Sequence, residues 1–139
     1  MILEVIARLK AEVPDLADVL PAEEVDAIAK ATAPKTATAF VLPYREKAEP
    51  NSRATGGHLQ YVAVQFLVAI FIRRYDARGG ERVIEFDDLK SSIETALAGW
   101  EPSDDADPVE LVGAQAAPLG NGRSVYVQTW QTSRYLSGD

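Results

Sequence analysis

The chain has 139 residues, 21 acidic against 14 basic, for a formal net charge of −7, and no cysteine. That length predicts one domain spanning 1–139 with a modest but real core. The missing cysteines exclude disulfides and thiolate metal sites, and the acid excess argues against a general nucleic-acid binder. Met1 leads straight into an amphipathic helix pattern, without a basic segment and continuous apolar run. A soluble protein made in the cytosol is therefore expected.

In chain order, Ile2, Ile6, Leu9 and Val13 recur at helical spacing, and Pro14 limits the helix they predict over 2–13. Leu16, Val19 and Leu20 suit a short strand or turn. Pro21 suits the first position of a second helix reaching about Ala31, with Glu23 and Glu24 in its first turn. Thr38–Pro43 reads as a strand closed by proline. Residues 44–58 read as a long polar loop, and a loop of that length is usually functional or disordered.

Gln60–Arg74 is the longest apolar run. Being β-branched and aromatic, it predicts a central strand of an antiparallel sheet. Val62, Val64, Phe66, Val68, Ile70 and Ile72 form an apolar face. Tyr61, Ala63, Gln65, Leu67, Ala69 and Phe71 form a mixed one that is partly covered or covered by a partner. The run is too short for a membrane helix and carries Gln65 in its middle.

Asp76–Gly80 is a turn signal. A helix is expected from Asp87, as N-cap, to Ala98, with Leu89, Ile93, Leu97 and Ala96 inward, Gly99 as C-terminal cap and Pro102 barring continuation. Trp100 should fold back onto the core. With Phe66, Val68, Ile70, Leu89, Ile93 and Leu97 it makes up the expected core. Residues 101–108 form an acidic loop. Val109–Leu119 and Arg123–Leu136 then make a hairpin around Asn121-Gly122. Neither face of the last strand is cleanly apolar, which hints at a subunit contact. The predicted fold is α+β, with an antiparallel sheet of about four to five strands packed against two to three helices.

Catalytic chemistry finds little support. His58, the only histidine, has no nucleophile or orienting group supplied by a motif and reads as a loop or strand-edge residue. Asp104, Asp105 and Asp107 lack the calcium-loop pattern, which Ala106 and Pro108 break. Glu85, Asp87 and Asp88 read as acids of a helix N-terminus. Gly79-Gly80 and Gly120–Gly122 lack phosphate-loop spacing. Arg73, Arg74, Arg78 and Arg82 cluster around one turn, either as a solvated strand end or as a partner contact. No catalytic, cofactor-binding or metal residue is assigned, and no cofactor is expected.

Several tracts together resemble one family. They are the opening Ile2–Leu9, then Ala39-Phe-Val-Leu-Pro43, then a polar loop with Asn51 and Ala54-Thr-Gly56, then the long strand. Leu97-Ala-Gly-Trp-Glu-Pro102, Val109–Gly113, Asn121-Gly122, Val127-Gln-Thr-Trp130 and Arg134-Tyr-Leu136 follow. In this order, over nearly the whole chain, they resemble the tail terminator proteins of long-tailed phages. The resemblance implies a structural, non-enzymatic α+β subunit forming a ring, usually a hexamer. The ring caps the head-proximal end of the tail tube, stops its polymerisation and docks the head connector.

The implied partners are other copies of the chain, the tail tube protein and the connector. DNA would pass through the lumen without specific binding, and no membrane is involved. The implied location is the neck of the virion tail, after synthesis in the host cytoplasm. A neck adaptor of the same fold and, more remotely, a small-molecule-binding α+β domain are the alternatives. No motif fixes the contact residues, so candidates rest on chemistry. Arg45, Lys47, Arg53 and His58 are expected to touch the neighbouring ring or tube. Arg73, Arg74 and Arg78 are expected to pair with acids of the adjacent subunit. Asp104, Asp105 and Asp107 are expected to be such acids or to face the lumen.

Overall fold

The computed structural model describes residues 1–23, 37–73, 79–120 and 123–138. The elements are α1 (Ile2–Glu12), β1 (Asp18–Pro21), β2 (Thr38–Ala48), β3 (His58–Arg73), α2 (Gly79–Leu97), β4 (Glu110–Gly120) and β5 (Arg123–Gly138). The strands make one five-stranded sheet in the order β1-β2-β3-β5-β4. The predicted α+β architecture is thus observed. Every pairing is antiparallel except that of the short β1, which lies parallel to β2.

β3 is the central strand, with β2 on one side and β5 on the other. Its period-2 pattern decides the layers. Val62, Val64, Phe66, Val68 and Ile70 are buried on one face. There Phe66, Val68 and Ile70 join Ala39 and Val41 of β2 and Trp130 of β5, under Val5, Ile6 and Leu9 of α1 and Leu89, Ile93 and Leu97 of α2. On the opposite face Ala69 and Phe71 cluster with Phe40, Leu42, Val125 and Val127. The mixed face is therefore buried near the C-terminal end of β3 and only partly covered from Tyr61 to Leu67.

Several local expectations are corrected. Pro21 ends β1 instead of opening a helix: it lies opposite Val41, and the Ala22 N–H donates to the Val41 carbonyl at 3.1 Å. An edge strand tolerates proline because its outer side needs no donor. The rest of the expected second helix, 24–31, lies outside the described residues. β2 does not stop at Pro43. A register shift between Pro43 and Arg45 takes up one extra residue, and pairing with β3 resumes as far as Ala48. A bulge relieves the proline locally without ending the strand.

α2 begins at Gly79, well before Asp87. Phe86, three residues before Leu89, extends the inward stripe and packs edge-on against Tyr126 at 5.1 Å, so Asp87 is mid-helix. Its carboxylate lies 3.8 Å from the Lys90 ammonium instead of capping a first turn. The C-terminal end is as predicted: Gly99 takes φ +81, a left-handed conformation that costs glycine little. The Asp76–Gly80 turn signal falls mostly, and the Asn121-Gly122 turn wholly, outside the described residues.

Trp100 is only half-buried, lying against the core with the Arg8 guanidinium 5.5 Å from its ring centre. The tryptophan that fills the core is Trp130, which is fully buried. Its indole N–H donates to the Gln128 side-chain carbonyl at 3.2 Å, which also accounts for a buried glutamine on that face.

Candidate functional site

The helices cover one end of the sheet. At the other end β2 from Pro43 to Ala48, β3 from His58 to Gln65 and β5 from Gln131 to Gly138 form a three-stranded arm. Four of the ten candidate contact residues lie on this arm or on its connection. Arg45 and Lys47 lie on β2 itself, not on a loop, because pairing continues past the bulge. His58 opens β3. Arg53 lies in the connection between them, which is shorter than expected, from Glu49 to Gly57.

That connection is held by its own polar groups. The Asn51 side-chain oxygen accepts from the Arg53 N–H at 3.2 Å and the Leu59 N–H at 2.9 Å, and the Ser52 N–H donates to the Leu59 carbonyl at 2.9 Å. An asparagine substituting for a backbone acceptor is a usual way to set a turn. His58 Nε2 lies 2.5 Å from the Gln60 Oε1, and the Gln60 amide donates to the Glu49 carbonyl at 2.8 Å.

Both faces of the arm carry polar interactions. On the helix-side face, Arg134 makes a two-pronged ion pair with Glu46, at 2.9 and 3.0 Å. The Arg134 hydrogen bonds lower the Glu46 pKa, because they favour its charged form. On the other face a row of hydrogen bonds crosses the strands. Arg45 Nε donates to Gln65 Oε1 at 2.8 Å, and Gln65 Nε2 donates to Gln131 Oε1 at 2.9 Å. Glu110 of β4 stands beside Gln131 and ends the row.

The acidic loop comes to the same end of the sheet, but to the opposite edge. Asp107 is anchored there. Its N–H donates to Ser133 Oγ at 2.8 Å, its carbonyl accepts from Thr132 Oγ1 at 2.6 Å, and its carboxylate accepts from the Tyr61 hydroxyl at 2.5 Å. The bond to Asp107 raises the Tyr61 pKa. Asp105 accepts from the Ser103 hydroxyl at 2.8 Å. The three aspartates are exposed, and Asp105 and Asp107 accept from different partners.

Arg73 does not join this group. It ends β3 and pairs with Arg123, at the opposite end of the strand from His58. Arg74 and Arg78 lie outside the described residues.

Sequence reasoning missed the exposed apolar residues of this region. Tyr44 is 53% exposed and Val112 54%. Both sit at register shifts, between Pro43 and Arg45 and between Leu111 and Gly113. The only sequence signal was Pro43 for the first shift and Gly113 for the second. An open groove of about 300 Å³ lies between Met1, Ile2, Tyr44, Val64 and Phe66. Its polar neighbours Arg45, Gln65 and Glu46 are already engaged with one another or with Arg134. They do not form the convergent polar set that a small-molecule site needs.

The family model of the phage tail terminator protein matches residues 2–138. Among solved structures, the chain is similar to one in the virion of a native gene transfer agent (GTA) particle. The TM-score is 0.52 at 12% identity, over 96% of this chain and 94% of that one, a likeness of fold. No curated protein matches the sequence.

Proposed function

The chain belongs to the phage tail terminator protein family and is a structural protein of the phage tail, and on that premise we propose that it forms a ring on the head-proximal end of the tail tube. The ring ends tube polymerisation and offers the docking surface for the head connector. It comprises six copies, and DNA passes through it without specific binding. The subunit is made in the host cytoplasm and takes its place in the neck of the virion.

The observation that carries this reading is the exposed apolar surface on the uncovered part of the sheet. Tyr44, Leu111, Val112, Tyr135 and Leu136 all face solvent in the isolated subunit. A subunit built for assembly leaves such groups to be covered by neighbours. Arg45, Lys47, Arg53 and His58 surround them on one side and Asp104, Asp105 and Asp107 on the other, as contact residues. Arg73, at the far end of β3, offers a separate basic contact, to which Arg74 and Arg78 are assigned from the sequence alone.

The test is deletion of the gene followed by measurement of tail length in negative-stain micrographs. Overgrown, headless tubes of variable length are expected. Tubes of normal length that fail to join heads would replace termination with a neck-adaptor role, and normal joined particles would overturn both.

A further inference from the structure

We propose that the two free edges of the sheet meet each other between copies. The β2 edge around Tyr44–Lys47 of one subunit lies against the β4 edge around Glu110–Val112 of the next. The proposal rests on the ring reading above and gives it a specific contact.

Among the described residues both edges are open. β1 covers β2 only as far as Val41, and among the described residues no strand pairs β2 beyond that point or β4 on its outer side. Unpaired edges of this kind are templates for another chain. Both edges also carry a bulge next to the same row. Pro43 lies opposite Phe66, Phe66 opposite Trp130, and Trp130 opposite Leu111. The shifts after Pro43 and after Leu111 therefore flank this one row at opposite edges of the sheet, Tyr44 on its arm side and Val112 on its helix-covered side. Bulges re-aim side chains, and these two leave Tyr44 and Val112 exposed, next to Leu111 at 44%.

The charges at that height are complementary. The next row across the sheet is Arg45, Gln65, Gln131, Glu110. The hydrogen bonds along it start from a guanidinium at one edge, and the row ends in a carboxylate at the other. Beyond it lie Lys47 on the β2 side and Asp107, Asp105 and Asp104 before β4. Glu46 is neutralised by Arg134, so Arg45 and Lys47 set the sign of the β2 edge.

Direction agrees as well. Three successive antiparallel pairings separate β2 from β4, so the two run in opposite senses. A copy rotated about an axis along the strands lays its β2 antiparallel beside β4. Arg45 then meets Glu110, Tyr44 meets Leu111, and Lys47 lies beside the segment at Asp107 and Pro108. The contact has an aromatic and aliphatic centre with charges around it, the usual anatomy of a specific interface. Because the two edges differ, it is a head-to-tail contact, the kind that closes rings. A two-fold contact would set Arg45 against Arg45.

Since the chain has no cysteine, the test introduces a pair. Tails are assembled with Tyr44→Cys/Val112→Cys as the only copy, treated with a short bismaleimide and run on a denaturing gel. Arg45→Cys/Glu110→Cys serves as the second pair if the first disturbs assembly. A covalent ladder of multiples of this chain is expected from the double variants, with none from the single ones. Monomer alone in tails of normal length would overturn the edge contact while leaving termination intact. A dimer from Val112→Cys alone, or a product containing a different tail protein, would also overturn it. Failure of the ring reading shows separately, as normal tails after gene deletion.

Discussion

The two ends of the sheet are built from the same three strands and differ in what covers them. At one end Phe66, Val68, Ile70 and Trp130 lie under two helices, with side chains wholly removed from water. At the other, the same strands carry an ion pair and side-chain hydrogen bonds, and Tyr44, Tyr135 and Leu136 are exposed. The contrast separates stability from assembly. The covered end holds the subunit together, and the bare arm presents contacts that stay unfilled until a neighbour arrives.

That division can be broken or sharpened by substitution. The largest effect on stability is expected at the covered end. Trp130→Ala should destabilise the subunit by roughly 3–5 kcal/mol, since it empties a fully buried site and frees the Gln128 side chain. Trp100→Ala should cost clearly less, because Trp100 keeps one side in solvent. Equal shifts in the urea midpoint for the two variants would refute this ranking.

Gly99→Ala should cost roughly 1–2 kcal/mol, because alanine resists the left-handed backbone at the end of α2. A thermal midpoint equal to wild type would contradict the cap assignment.

The smallest effect belongs to the bare arm. Glu46→Gln should cost at most about 1 kcal/mol at neutral pH, since the pair with Arg134 is about half exposed. The sign follows from the lowered Glu46 pKa. The pair's stabilisation is present above the ordinary carboxylate pKa and is lost as the pH falls through the lowered value. The gap between variant and wild type should therefore close in acid and narrow in high salt. A gap that persists at low pH would mean that Glu46 acts by packing.

The covered end was legible in the sequence because burial imposes a period. β3 alternates and α2 repeats at helical spacing from Leu89 to Leu97, so core faces could be assigned residue by residue. The family was legible too, from the order of motifs along the chain. The bare arm was not. Its strands carry polar residues on both faces, so β2 past Pro43 read as loop, and the bulges at Tyr44 and Val112 left almost no pattern to detect. Trp130 was passed over because it alternates with Gln128 and Thr132, which are themselves buried. The approach of Arg45, Lys47 and the acidic loop to one end of the sheet depends on register between distant strands. No single stretch of sequence contains that information.

The measurement that bears most directly on the account is tail length in strains carrying Arg45→Glu, Glu110→Arg or both. Each single reversal places like charges across the contact, and overgrown tubes are expected from either one. The combined variant restores opposite charges with the edges exchanged, and tails of wild-type length should return. Wild-type tails from a single reversal, or no recovery in the combined variant while the protein remains folded, would contradict it.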